Sequence, residues 1–107
     1  MEITAVQIRA MYSALREMPP FNVWGLPPAE ALAFSAMDKT HQGWYEKGCI
    51  KVSKRLVASL DRLAVVTAHE MVHLAQDLHG HYVGHGGSFT TMAREVCAEL
   101  GFDHKEF

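Results

Sequence analysis

The 107-residue sequence predicts an α+β fold, with a helix, a short antiparallel β-meander and two further helices in chain order. Three observations carry this expectation. Apolar residues recur at helical spacing near the start, in the second half and near the end. Short runs of strand-like character fill the stretch between the first two of these segments. Prolines and glycines punctuate the joins.

Residues of about 4–17 read as the first helix. Thr4 and Gln7 have the spacing of a capping box. Ile3, Val6, Ala10 and Ala14 form the expected apolar stripe, widened by Ile8, Met11 and Leu15, and Pro19-Pro20 stops the helix. A loop follows to Pro27-Pro28, with Phe21, Val23 and Trp24 as its expected packing anchors. Residues of about 31–37 alternate large and small as a strand does, and Asp38-Lys39 reads as a turn. Trp44-Tyr45 is the second strand, and Glu46-Lys47-Gly48 is a tight connection with Gly48 at positive φ. Cys49 to Ser53 is the third, with Ile50 and Val52 on one face.

The central helix begins at Ser59, a good N-cap with Asp61 in the first turn, and Gly80 ends it. Leu60, Leu63, Ala64, Thr67, Met71, Leu74, Ala75 and Leu78 line one side, while Val65, Val66 and Val72 occupy the other. A helix apolar nearly all round is expected to be central and mostly buried. A glycine- and histidine-bearing loop spans residues 80–87. The last helix runs from about Ser88 to Leu100, on a stripe of Phe89, Met92, Ala93, Val96 and Leu100, and Gly101 closes it.

The length fits one domain, residues 1–107, able to bury roughly two-thirds of its unfolded surface. With 49% apolar and 21% charged residues the composition is that of a folded globular chain, and no apolar run reaches the length of a membrane span. Met1-Glu2-Ile3-Thr4 lacks the basic start of a secretory signal. Cys49 and Cys97 follow no metal-pair spacing, and Cys97 falls beside an apolar helical stripe as a core thiol; a reduced, cytoplasmic compartment is expected. A net charge of −2 argues against wholesale coating of nucleic acid. A local patch of Lys47, Lys51, Lys54, Arg55 and Arg62 could still contact DNA phosphates, against the simpler reading of an edge strand guarded by lysines.

The chemistry concentrates in His69-Glu70-Met71-Val72-His73. On a helix, residues four apart share a face, so two imidazoles can grip one cation while Glu70 reaches water beside it. Unpaired polar groups on a buried helix are costly, and a metal supplies a partner. Catalytic zinc sites use three protein ligands and an open position. His85 is the first choice for the third, in a loop that can fold back over the helix and is anchored by Phe89. His79 stands at the third-histidine position of His-Glu-x-x-His-x-x-Gly-x-x-His, but Gln76 replaces the glycine that pattern needs. Continued helix sends His79 about 80° around from His69 and about 9 Å beyond His73. Glu95, with Glu99 four later, is a further rival, as is His81; His41 and His104 are expected at the surface.

The two segments together, His69-Glu-Met-Val-His73 and Gly84-His85-Gly86-x-x-Phe89, resemble the SprT-like metalloprotease family, which includes Spartan. The resemblance covers roughly residues 30–100 and extends to the strand, short link and motif helix upstream. It implies a small zincin-like domain, His85 as third zinc ligand, and peptide hydrolysis by zinc-activated water with Glu70 as general base. It also implies substrates associated with DNA, since Spartan-type enzymes digest proteins crosslinked to DNA. No cysteine-rich ribbon or long tail follows the last helix, so a minimal single-domain form is expected. Tyr82, His81 and Tyr45 are candidate oxyanion or substrate contacts, and an exposed strand could bind the substrate backbone by strand addition. The alternative is a non-catalytic, zinc-stabilised protein- or DNA-binding module, whose metal would be closed by a fourth protein ligand.

Overall fold

A computed structural model describes residues 2–38 and 40–107. Helix α1 spans Ala5–Arg16, and its capping box is formed: Gln7 N–H donates to the Thr4 hydroxyl, and the Gln7 side chain accepts from the Thr4 backbone. Of the expected stripe Ile3, Ile8 and Leu15 are buried and Met11 is half-buried, but Val6, Ala10 and Ala14 are exposed and Tyr12 is buried in their stead; Val6 is 77% exposed. Tyr12 decides the difference. Its ring is buried against Phe34 while its hydroxyl donates to the Pro27 carbonyl at 2.6 Å, so the phenol's polar tip is satisfied inside the fold. Burial pushes that phenol up to about 12. Arg16 Nε donates to the Leu26 carbonyl, and together these bonds tie the loop of residues 17–32 to α1. Of the expected loop anchors, Phe21 is buried and Trp24 half-buried, while Val23 is exposed.

Among the described residues the sheet has three strands, β1 (Ala33–Met37), β2 (Gly43–Glu46) and β3 (Cys49–Ser53), in the order β1-β3-β2. This corrects the antiparallel meander: β2 and β3 form the expected hairpin, but β1 runs parallel to β3 and does not touch β2 as a sheet neighbour. The physical reason lies in burial. Ile50 and Val52 of β3 are fully buried, whereas β1 and β2 hold no fully buried residue, so β3 takes the centre and the other two take the edges. Alternation alone identifies strands but not their order. The Met37 carbonyl accepts from Lys54 N–H, and the Gln42 carbonyl accepts from Ser53 N–H. The turn expected at Asp38-Lys39 lies partly outside the described residues. In the β2–β3 connection Lys47 joins Gly48 at positive φ (44° and 79°), the backbone of a two-residue hairpin turn whose twist matches the strands.

Helix α2, Leu60–Leu78, is capped by the Ser59 hydroxyl accepting from Arg62 N–H. Most of its middle, from Leu63 to Gln76, is buried, with Ala64, Val65 and His69 half-buried, but Leu60 and Leu78 of the expected stripe are exposed because they lie at its two ends. It packs on α1, β2 and β3, and on α3 (Gly87–Leu100). The structure is therefore an α+β domain with α2 at its centre. Cys97 is a buried free thiol on α3. Among the described residues no helix is long and apolar enough to cross a membrane.

Candidate metal centre

His69 and His73 stand one turn apart on α2, with ring centroids 5.0 Å apart. The segment before α3 folds back so that His85 lies 5.2 Å from the His69 ring and 4.9 Å from the His73 ring. One ligand atom from each of the three lies within 4.8 Å of the others. Phe89, in the first turn of α3, forms the floor. Its ring stacks on His73 (5.0 Å, 27°) and lies 4.9 Å from His69 and 4.7 Å from His85. One apolar side chain thus supports all three imidazoles. Phe89→Ala is expected to destabilise the protein by about 3–5 kcal/mol, read as a lower urea midpoint.

Hydrogen bonding fixes which nitrogens are available. His69 Nδ1 faces the Phe107 main-chain oxygen at 3.1 Å. A main-chain oxygen only accepts, so Nδ1 carries the proton and Nε2 keeps its lone pair. His73 Nδ1 faces Gln76 Oε1 at 2.8 Å, which again leaves Nε2 for a ligand. His69 Nε2 and His85 Nε2 are 3.1 Å apart. Two nitrogens each about 2.0–2.1 Å from a tetrahedral zinc would be about 3.3 Å apart. The donor set of His69, His73 and His85 fits a divalent cation suited to imidazole, and the outer nitrogens of His69 and His73 are oriented by protein acceptors.

Glu70 is buried, 5% exposed, at the junction of two cavities of about 370 and 350 Å³; both are lined by His41, Gly43, His69 and Glu70. Gly43, at the start of β2, is what lets the strand approach so closely. A Cβ there would sit 2.6 Å from Glu70 Oε2 and 2.7 Å from Val66 Cγ1. Gly43→Ala is therefore expected to push β2 off α2, costing about 1–3 kcal/mol of stability in urea unfolding. Burial pushes the Glu70 carboxyl up to about 8. Burial, then the neighbouring His73 and His85, take His69 down to about 4, and burial lowers His73.

These shifts predict a pH signature for the metal-free protein. An unfolded glutamate ionises above its ordinary value of 4.5, whereas folded Glu70 stays protonated to about 8. Folded stability is therefore lost as pH rises between those values and levels off above them. Glu70→Gln removes this loss, while the histidine contributions are common to both proteins. In chelator, the melting temperature of Glu70→Gln minus that of wild type should grow from pH 5 to pH 8; a constant difference would contradict it.

The chain matches the SprT-like family over residues 24–105 of 107. It belongs to that family. No curated protein and no solved structure matches it. SprT-like domains are zinc-associated, and three clustered imidazoles are present here that could hold such an ion.

Within this SprT-like domain the other sequence candidates fall elsewhere. The ring nitrogen of His79 meets the Trp24 carbonyl at 2.9 Å, and His79 is not among the clustered imidazoles. Glu95 and Glu99 are exposed on α3, and His81 and His104 are exposed. Tyr45 lines the smaller cavity, but its hydroxyl donates to Asp77 Oδ2 at 2.6 Å and accepts from Gly48 N–H at 3.0 Å. Burial and Asp77 push that phenol up to about 12, so it is held as a structural donor. Tyr82 is 90% exposed. Neither Tyr82 nor His81 lines either cavity. His41 is exposed as expected, yet it lines both cavities.

Of the basic residues, Lys51, Lys54 and Arg55 lie 3.8, 3.5 and 4.0 Å from Glu46, Glu2 and Asp38, and Arg62 donates to Gln42. Sequence reading missed Gly43, Phe107 and Gln76. For Gln76 a signal existed: a polar residue three positions after His73, hence on the same face of an otherwise apolar helix.

Proposed function

We propose that this SprT-like domain is a zinc metallopeptidase. The observation that carries the reading is the juxtaposition of three imidazoles with a buried carboxyl, Glu70, opening onto two cavities beside an edge strand. His69, His73 and His85 would hold the ion through their inner nitrogens. When bound, zinc is a Lewis acid that acidifies water, polarises a carbonyl and favours the charged form of a nearby carboxyl. Glu70 takes a proton from water as its oxygen adds to the scissile carbonyl carbon. It returns that proton to the amine nitrogen as the C–N bond breaks. β2 is the sheet edge next to the cavities, and an extended peptide would lie along it, bound through its backbone rather than through a particular side chain.

The alternative, a non-catalytic zinc-stabilised binding module, calls for a fourth protein ligand and gives Glu70 no task. Among the described residues the cluster contains three, and His85 is exposed on a cavity. Zinc-loaded protein is expected to cleave unfolded casein and to be inhibited by a hydroxamate. A zinc-loaded protein that binds neither substrate nor hydroxamate would favour the module. Contact with DNA through Lys47, Lys51, Lys54, Arg55 and Arg62 is a separate proposal, weakened by the acids beside three of these residues. Salt-dependent binding to a DNA duplex would support it, and no binding at low salt would end it.

A further inference from the structure

Gln76 is fully buried in α2, and its amide makes four contacts. Oε1 lies 2.8 Å from His73 Nδ1 and 3.3 Å from Gly84 N. Nε2 lies 3.0 Å from Gly84 O and 2.8 Å from Ser88 Oγ. The backbone of Gly84 fixes the orientation of the amide. A carbonyl only accepts, so it faces the NH₂; a backbone N–H only donates, so it faces Oε1. Oε1 is therefore the atom that meets His73, and His73 Nδ1 is the donor. One side chain sets the tautomer of His73 and grips the chain on both sides of His85, at Gly84 and at Ser88.

The segment it grips would otherwise be costly to order. Gly80, Gly84, Gly86 and Gly87 surround His85, and glycine-rich chain loses the most backbone freedom when fixed. Bonds formed on folding place that loss before metal binding, which leaves more of the binding free energy for affinity. Neighbouring residues cannot substitute: Asp77 is engaged by Tyr45, and His79 by Trp24.

We propose that Gln76 is a positioning residue that clamps the His85 segment to α2 and orients His73, so that the three-imidazole set is assembled before an ion arrives. The proposal rests on the metal-centre reading for its effect on affinity, but the clamp itself is visible without metal. The test uses Gln76→Leu, which removes all four contacts, Ser88→Ala, which removes one, and Gln76→Glu, which keeps both bonds to Oε1 and loses both donations. Hydrogen exchange is measured on the metal-free chain, and zinc affinity by competition with a chromophoric chelator.

In wild type the Gly84 amide should be protected. In Gln76→Leu that protection should be lost while amides of residues 71–75 stay protected, and zinc affinity should fall 10–100-fold. Ser88→Ala should lose a smaller, few-fold part. Gln76→Glu should retain the His73 partner yet weaken zinc through the freed segment.

An unprotected Gly84 in wild type overturns the proposal, as does a folded Gln76→Leu that binds zinc within twofold of wild type. If Gln76→Leu fails to fold, the other two variants decide; both matching wild type in exchange and affinity overturns it. If wild type binds no zinc, the metal-centre reading falls, and Gly84 exchange in wild type against the variants decides the clamp alone.

Discussion

Glu70→Gln is expected to keep zinc and to lose peptide hydrolysis by about 10²–10⁴-fold, the usual worth of a positioned general base. The amide has the shape of the carboxyl but cannot accept and return a proton. Glu70 is not one of the three clustered imidazoles, so removing its charge should leave the metal set intact. Its position is set from two sides, by α2 and by the backbone of Gly43, so the substituted side chain should occupy the same place. The measurement pairs turnover of a fluorogenic casein with metal content by mass spectrometry. Cleavage at the wild-type rate with zinc retained would rule out Glu70 as the base.

Metal removal should have the second large effect. An ion bound by the folded state and not by the unfolded chain stabilises by mass action, about 2.7 kcal/mol at a free concentration one hundred times its dissociation constant. For a domain of this size that corresponds to a melting temperature higher by roughly 10–20 °C. A chelator should reverse the gain, and His85→Ala should show little response to either zinc or chelator. Protons compete with the ion for the same nitrogens. Because burial takes His69 down to about 4 and also lowers His73, acid should release the metal at a lower pH than ordinary imidazoles would suggest. That places the release below the ordinary imidazole value of 6.5. A melting temperature indifferent to both zinc and chelator would contradict an ion held by the fold.

Much of the fold was legible because helices report themselves locally. The Thr4–Gln7 box, the Ser59 cap and the position of the β2–β3 turn each depend on residues within a few positions of one another. The sheet order was not legible. Strand character in residues 33–37 says nothing about which neighbour they find, and the parallel pairing with β3 follows from Ile50 and Val52 claiming the centre. The buried stripe of α1 was half legible, in Ile3, Ile8 and Leu15, but not in Tyr12, whose hydroxyl is satisfied in the core by the Pro27 carbonyl, distant in sequence.

The same division runs through the site. Sequence by itself determined that His69 and His73 share a helix face with Glu70 between them, because α-helical geometry makes residues four apart neighbours. It also brought forward His85, from the glycines around it and from Phe89. Tertiary structure alone decided that His85 reaches the helix pair while His79 is turned away to Trp24 and Glu95 is left exposed. It also decided that Glu70 is buried under Gly43 and that Gln76 joins His73 to the returning segment. Spacing along one helix is set by covalent geometry and backbone hydrogen bonds. Contacts between elements are set by which apolar surfaces bury each other and which polar groups must then be paired, and that depends on the whole chain at once.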